Sequence, residues 1–163
     1  MKVLTVYYSR TGITAKIARM IHDELGGDLE EIKDTRSRSG AFNYLRSGME
    51  AALKMQAKIQ AAGHDPGAYD LVVIGTPVWS HTMSTPVRAY LEQYKTSFKA
   101  CAFFATCGST GVSKTLGDME TLSGLRGKAL LDINKRDHRS GAFREKVKRF
   151  AGSLMETVKE GIE

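Results

Sequence analysis

The chain has 163 residues, of which 42% are hydrophobic and 26% are charged, a globular composition that can enclose one sizeable core. No run of eighteen apolar residues occurs, and Met1 leads directly into a strand-like segment, so a membrane span and a secretory signal are disfavoured. Cys101 and Cys107 lack metal-ligand spacing, which argues against a disulfide framework or zinc site and indicates reduced thiols. We expect one cytoplasmic domain over residues 1–163.

The net charge of +6 is concentrated in one stretch. Residues 126–149 contain nine Lys and Arg against three Asp and Glu, whereas the rest of the chain carries fifteen of each sign. Such a stretch can attract an acidic partner, a nucleic acid or an anionic surface. We expect it to be a solvated strand end and helix face, because basic surfaces of this size are common without a function.

Apolar runs of the β type predict five strands. They lie at residues 3–8, 70–75, 100–106 and 129–133, with a weaker one at residues 29–33. The central runs, LVVIG and AFFAT, are apolar at consecutive positions, which is typical of parallel strands covered on both faces.

Helical patterns lie between these strands. Ile13, Ile17, Ile21 and Leu25 recur at four-residue intervals before two glycines that end the helix. A second helix is predicted over residues 44–62, with Leu45, Met49, Ala52 and Leu53 on one face. Three more are predicted from Thr85 and Pro86 to Tyr94, within residues 112–122 and over residues 143–158.

This alternation of strands and helices predicts an α/β fold with a five-stranded, doubly wound parallel sheet. The longest polar connection, residues 34–40, is short enough to be a surface loop rather than a domain boundary. In such sheets ligands bind beyond the carboxyl ends of the strands, where the strand order reverses. The loops after the first, third and fourth predicted strands are therefore the candidate functional loops.

The first of these loops is rich in hydroxyl groups at the start of a helix. It comprises Ser9, Arg10, Thr11, Gly12, Ile13 and Thr14. Free backbone N–H groups, a glycine that allows close approach and short hydroxyl side chains together suit a phosphate group. The alternative is that one hydroxyl merely caps the helix, but the density of hydroxyls favours an anion site.

Several phosphate chemistries are disfavoured by missing motifs. The chain contains neither a Walker loop nor a GxGxxG fingerprint. The first and third strands end without the acidic cluster of a magnesium-dependent phosphoacceptor, and no arginine stands five residues after either cysteine as in thiol phosphatases. We therefore expect phosphate to be bound here and not hydrolysed.

The segment SRTGIT resembles the Ser/Thr-x-Thr-Gly-x-Thr phosphate loop of the flavodoxin family, which holds the phosphate of FMN. The resemblance covers essentially the whole chain. It implies the flavodoxin-like strand order 2-1-3-4-5, non-covalently bound FMN as the cofactor, and the next two loops as the site of the isoalloxazine ring.

The second loop, residues 75–82, contains the single tryptophan of the chain. The resemblance implies that Thr76, Pro77, Val78 and Trp79 contact the flavin, with the Trp79 ring stacked on it. The alternative is that Trp79 is packed under the loop for structural reasons. His81 is either a surface residue or a titratable donor near the flavin edge.

The third loop, residues 106–111, again combines hydroxyls and glycines. Cys107, Gly108, Ser109 and Gly111 are expected to present backbone N–H groups to the flavin. Cys107 is expected to fill a tight turn rather than to react, because nothing in the sequence indicates an electropositive setting. Electron-carrier flavodoxins usually place a second aromatic residue in this loop, and its absence here implies that one flavin face is open.

Two redox functions follow, with no assigned catalytic residue and no metal site. The first is electron transfer through bound FMN with a redox partner protein or a small electron donor or acceptor. The second is an FMN-dependent NAD(P)H:quinone-type oxidoreductase that acts on a small acceptor. Nucleic-acid binding is disfavoured, because the two aromatic residues that accompany the basic stretch, Phe143 within it and Phe150 just after it, fall on the predicted core stripe of the last helix.

Overall fold

A computed structural model describes residues 1–35, 40–55 and 57–160. Its central sheet contains five parallel strands and one short antiparallel strand. The strands are β1 (Val3–Tyr7), β2 (Asp28–Glu31), β3 (Leu71–Trp79), β4 (Thr82–Met83), β5 (Cys101–Cys107) and β6 (Leu130–Asn134). The helices are α1 (Ile13–Leu25), α2 (Ala41–Ala52), α3 (Thr85–Tyr94), α4 (Val112–Ser123), α5 (Lys135–Ser140) and α6 (Phe143–Glu160), and a 3₁₀ turn lies at Pro66–Ala68.

The strand order is β2-β1-β3-β5-β6, with the two-residue β4 paired to β3. Apart from β4, which is antiparallel to β3, every neighbouring pair is parallel. Without β4, this is the predicted order 2-1-3-4-5, so the predicted doubly wound flavodoxin-like α/β fold is confirmed. The order reverses between β1 and β3, and both strands point the first two candidate loops toward the same edge of the sheet.

The sheet is covered on both faces. The α1 and α6 helices pack against one face, with Ile17, Ile21, Val147 and Leu154 in one buried cluster. The α3 and α4 helices pack against the other face, where Val87, Leu91, Leu116 and Met119 are buried. Burial on both sides explains why the first part of β3 and most of β5 are apolar at consecutive positions.

The β3 strand is longer than predicted. It continues past Gly75 to Trp79 although it contains Pro77, which has no N–H group to donate to a sheet. Pairing between β1 and β3 ends at Gly75, whereas β5 pairs with β3 as far as Pro77. Pro77 is tolerated because the strand has only one parallel neighbour at that position.

The α2 helix ends ten residues earlier than predicted. Lys54 has a φ of 54°, in the left-handed region that interrupts a helix. Beyond it, Ile59 pairs with Asp34, and the Gln60 N–H group donates to the Lys33 carbonyl. The second half of the predicted helix is therefore extended chain held beside the end of β2, while Gln56 and the predicted loop residues 36–39 lie outside the described residues.

The apolar face of α2 is exposed. Leu45, Met49 and Leu53 share one face as predicted, but their exposed fractions are 72%, 57% and 66%. The inward side of the helix contributes the buried Ser47 and Ala51 instead. Periodicity identified the residues that lie together but not the direction in which that face points.

A short helix, α5, lies between β6 and α6 and was not predicted. It begins with a capping box, in which Asn134 Oδ1 accepts hydrogen bonds from the N–H groups of Arg136 and Asp137 at 2.8 and 3.1 Å. The Asp137 carboxylate accepts the return bond from the Asn134 N–H group at 2.9 Å. The predicted basic stretch therefore contains an ordered helix beside the sheet edge.

None of the helices in the described ranges combines the length and the apolar character needed to cross a membrane.

Candidate functional site

A cavity of about 390 Å³ opens beyond the carboxyl ends of β1, β3 and β5. Its size is in the range of small-molecule and cofactor pockets. Its lining residues come from all three candidate loops and from α5, and they are Arg10, Thr11, Ile13, Thr14, Pro77, Val78, Trp79, Thr106, Cys107, Gly108, Lys135 and His138. This described lining includes two cationic side chains and no carboxylate, so the cavity suits an anionic ligand.

The first loop presents the N-terminus of α1 to this cavity. Gly12 precedes the helix with a φ of 91°, and no side chain caps the helix. The Ser9 hydroxyl accepts a hydrogen bond from the Gly12 N–H group at 3.1 Å and thereby braces the turn. The alternative that a hydroxyl caps the helix therefore does not hold, and the first N–H groups of α1 retain their capacity to bind an anion.

Thr14 ties the first loop to the third. Its side chain is buried, and its Oγ1 lies 2.8 Å from Oγ1 of Thr106 in a hydrogen bond. Thr11 is exposed and also lines the cavity. The two threonines thus differ: Thr14 fixes the position of the loop against β5, whereas Thr11 is accessible to a ligand.

The second loop is a β-hairpin rather than an irregular loop. Trp79 pairs with Thr82 across a two-residue turn, and both turn residues, Ser80 and His81, have positive φ values of 48° and 61°. These are the conformations of a type I′ turn, which non-glycine residues adopt only at an energetic cost. The hairpin thereby aims Trp79 and its neighbours at the cavity.

Trp79 is packed in the protein as well as facing the cavity. Its exposed fraction is 7%, and its ring contacts Tyr8 edge-on with centroids 5.5 Å apart. The Arg10 guanidinium lies 5.4 Å from the indole centroid, within the range of a cation–π contact. Trp79 is therefore packed against the protein without any ligand, and a contact with a flavin would be additional.

The third loop is braced by a thiol. The Cys107 Sγ accepts a hydrogen bond from the Ser109 N–H group at 3.2 Å and donates to the Thr110 carbonyl at 3.0 Å. The prediction that Cys107 fills a tight turn is thus consistent with the contacts. Gly111 lies against His81, since a Cβ at that position would come within 2.9 Å of the His81 Nδ1.

The structure brings most of the predicted site residues to one cavity. Five of them do not line it, namely Ser9, Gly12, Thr76, Ser109 and Gly111. Thr76 is fully buried, and its hydroxyl exchanges hydrogen bonds with Ser84, so it joins β3 to the start of α3. The other four shape the turns that position the lining residues.

Lys135 and His138 line the cavity and were not predicted. Both belong to α5, which begins where Asn134 pairs with Cys107 at the end of the sheet. The His138 ring packs near Phe143, with centroids 5.0 Å apart. The only sequence signal for these two residues was the basic stretch, whose position beside the first loop depends on the strand order.

An ion-pair network centred on Lys146 lies beneath α5 and contributes to its electrostatic environment. Lys146 Nζ donates to Asp132 and Asp137 at 2.9 and 3.0 Å. Burial opposes the charge of Lys146, but these hydrogen bonds outweigh it and raise its pKa. Burial and the nearby charge of Lys16 lower the pKa of His138, although Asp137 acts in the opposite direction.

Comparisons with known proteins agree with this architecture. A family model described as flavodoxin matches residues 2–131, whereas none of the curated proteins matches the chain. The chain is similar to a Lactobacillus acidophilus NCFM flavoprotein solved in complex with FMN, with 26% identity, a TM-score of 0.67 and coverage of 87% of this chain and 97% of that one.

The apo-form of the Lactobacillus acidophilus NCFM flavoprotein is also similar, with 28% identity, a TM-score of 0.61 and coverage of 82% of this chain and 91% of that one. An archaeal flavodoxin shares the fold at 16% identity, with a TM-score of 0.64 and coverage of 98% and 99%. The family model spans most of the sequence, including all three candidate loops. The chain belongs to the flavodoxin family.

Proposed function

We propose that this protein is a redox protein that binds FMN non-covalently in the 390 Å³ cavity. The observation that carries the proposal is the uncapped N-terminus of α1 at a cavity whose described lining has cationic side chains and no carboxylate. A phosphate group compensates such N–H groups directly. The FMN complex of the similar Lactobacillus protein supports the choice of ligand.

The residues present fit this cofactor. At one end of the cavity Thr11 and the first N–H groups of α1 would hold the phosphate, and at the other Pro77, Val78 and Trp79 would contact the isoalloxazine ring. The backbone at Cys107 and Gly108 would face the ring from the adjacent strand end. Bound FMN would supply the redox chemistry, because its ring accepts and releases electrons.

Electron transfer to a partner is the function that we favour. The third loop contains Cys107, Gly108, Ser109, Thr110 and Gly111, none of which is aromatic. This composition also favours a second candidate, an NAD(P)H:quinone-type oxidoreductase, since no aromatic side chain of that loop would cover the ring. A cytoplasmic location is part of the proposal, because both cysteines are free thiols.

Titration of the FMN-free protein with FMN, riboflavin and FAD tests the cofactor assignment. We expect FMN to bind most tightly, because the first loop suits a terminal phosphate. Thr11→Val should weaken FMN binding by about 1–3 kcal/mol, the range for a hydrogen bond to a charged group, whereas Thr11→Ser, which keeps the hydroxyl, should bind nearly as wild type. Equal affinity for riboflavin and FMN would contradict the phosphate role of the loop.

Turnover separates the two redox functions. An oxidoreductase with bound FMN should oxidise NADH or NADPH continuously when a quinone is added. An electron carrier should show no such turnover but should pass electrons from a reductase to a haem protein acceptor. The flavin loading of each sample is measured from its visible absorption spectrum, so that a poorly loaded sample is not mistaken for an inactive one.

A further inference from the structure

The basic stretch at residues 126–149 divides into outward-facing residues and two residues that reach the cavity. Arg136 and Arg139 are exposed and do not line it, whereas Lys135 and His138 do. Lys146 is bound to Asp132 and Asp137 beneath α5. Only part of the basic stretch is thus a solvated surface, and α5 offers two nitrogen-bearing side chains to the cavity.

The backbone of α5 contributes little to anion binding itself. The Asn134 side chain already accepts hydrogen bonds from the first N–H groups of this helix. The N-terminus of α1 has no such cap. Any ligand between the two helices would therefore meet backbone donors from α1 and side-chain groups from α5.

Two ring contacts at Phe143 place α5 at the α1 end of the cavity. The His138 ring lies 5.0 Å from the Phe143 ring, and the Lys16 ammonium, from the first turns of α1, lies 4.7 Å from that same ring. Thr14, two residues before Lys16, is hydrogen-bonded to Thr106 on β5. His138 is therefore close to the first turns of α1, and Lys135, which precedes it on α5, lines the same cavity.

His138 also retains an unused polar atom. Its Nε2 is buried without a hydrogen-bond partner among the described residues, an arrangement that costs free energy unless a ligand or water completes it. The charged groups around it are Lys16 on α1, Asp137 on its own helix, and Arg10 and Lys135 in the same cavity lining. The cations around His138 outnumber the carboxylates, and a bound anion would reduce the electrostatic repulsion among these cations.

On the basis of the proposed FMN site, we infer that Lys135 and His138 are specificity-determining residues that bind the ligand's terminal phosphate. Together with the N-terminus of α1, they make the cavity select a phosphorylated flavin over an unphosphorylated one. The ribityl chain of riboflavin ends in a neutral hydroxyl, which cannot neutralise the Lys135 ammonium group. Two residues of the basic stretch thus act on the cofactor.

The test compares FMN and riboflavin affinities in Lys135→Gln, His138→Gln and the control Arg139→Gln, which removes one charge from the same helix outside the cavity lining. We expect the dissociation constant for FMN to rise at least fivefold in the first two variants, while that for riboflavin changes less than twofold. The control should leave both constants within twofold of wild type. Lys135→Arg, which preserves the charge, should restore FMN binding to within threefold.

Thermal melts of the FMN-free variants identify any loss of folding. If His138→Gln does not fold, the exposed Lys135 variants decide the outcome alone. The inference is overturned if FMN and riboflavin affinities fall by the same factor, or if FMN affinity is unchanged when Lys135 is neutralised. If the wild-type protein binds FMN and either of these outcomes is observed, only the inference is refuted. If the wild-type protein does not bind FMN, the proposed function is refuted.

Discussion

Replacing Trp79 by Ala should destabilise the FMN-free protein. The side chain is 7% exposed and packs against Tyr8 and Arg10. Emptying a buried aromatic site typically costs about 3–5 kcal/mol. We expect a loss near 3 kcal/mol, at the lower end, because one side of the ring already borders the cavity and fewer packed atoms lose their contacts there.

Urea unfolding of the FMN-free protein, followed by far-ultraviolet circular dichroism, measures this cost without the indole signal. Trp79→Phe keeps an aromatic ring at the site and should cost less than half as much as the Ala variant. Phe42→Ala provides a matched control, because that ring is 78% exposed, and its truncation should change the free energy of unfolding by no more than about 0.5 kcal/mol.

The same variants report on the proposed flavin contact. Stacking on the flavin should contribute about 0.5–1.5 kcal/mol beyond buried area, so Trp79→Ala should weaken FMN binding several-fold more than Trp79→Phe does. A loss of unfolding free energy below about 1 kcal/mol in Trp79→Ala, with an unchanged denaturant slope, would refute the conclusion that the ring is packed in the absence of FMN.

Two further predictions concern the sheet and the cavity. Gly75→Ala should lower the free energy of unfolding by about 3 kcal/mol or more, because the added Cβ would overlap the fully buried ring of Phe104. Gly152→Ala, which has open space around it in α6, should instead stabilise the protein by about 0.5–1 kcal/mol. Equal effects of the two substitutions in urea unfolding would contradict this packing. Burial and the charge of Lys16 lower the pKa of His138, so the folded state binds the imidazole proton less well than the unfolded state does. The melting temperature of the FMN-free protein should therefore fall as the pH drops below about 6.5. His138→Gln should flatten that pH dependence, and an unchanged slope would show that this residue does not cause it.

The central strands and the first loop could be predicted from the sequence because their signals are local. The runs in β3 and β5 are apolar at consecutive positions, as burial on both faces requires. Gly12 and the hydroxyls around it lie directly between a strand and an amphipathic helix, so the proposed anion-binding turn is visible in six adjacent residues. Right-handed connections then restrict the order of the strands.

The extent of β3 and of α2 depended on neighbours that are distant in sequence. Pro77 remains in a strand because β1 ends opposite Gly75, a fact of register that the β3 segment does not contain. The extended chain after Lys54 is held by Lys33 and Asp34, some twenty-five residues earlier. A helical pattern that continues through such a segment is overridden by these backbone hydrogen bonds.

The sequence by itself determined the fold class, the sheet edge and the three loops, because strand burial and helix starts are encoded in short contiguous segments. Only the tertiary structure decided that Lys135 and His138 belong to the same cavity as Thr11. These residues are more than a hundred positions apart, and they meet because β6 pairs with β5 while α6 packs beside α1. The charge composition of a segment does not show which of its side chains face inward, so the role of a basic segment is determined only by the packing of the folded chain.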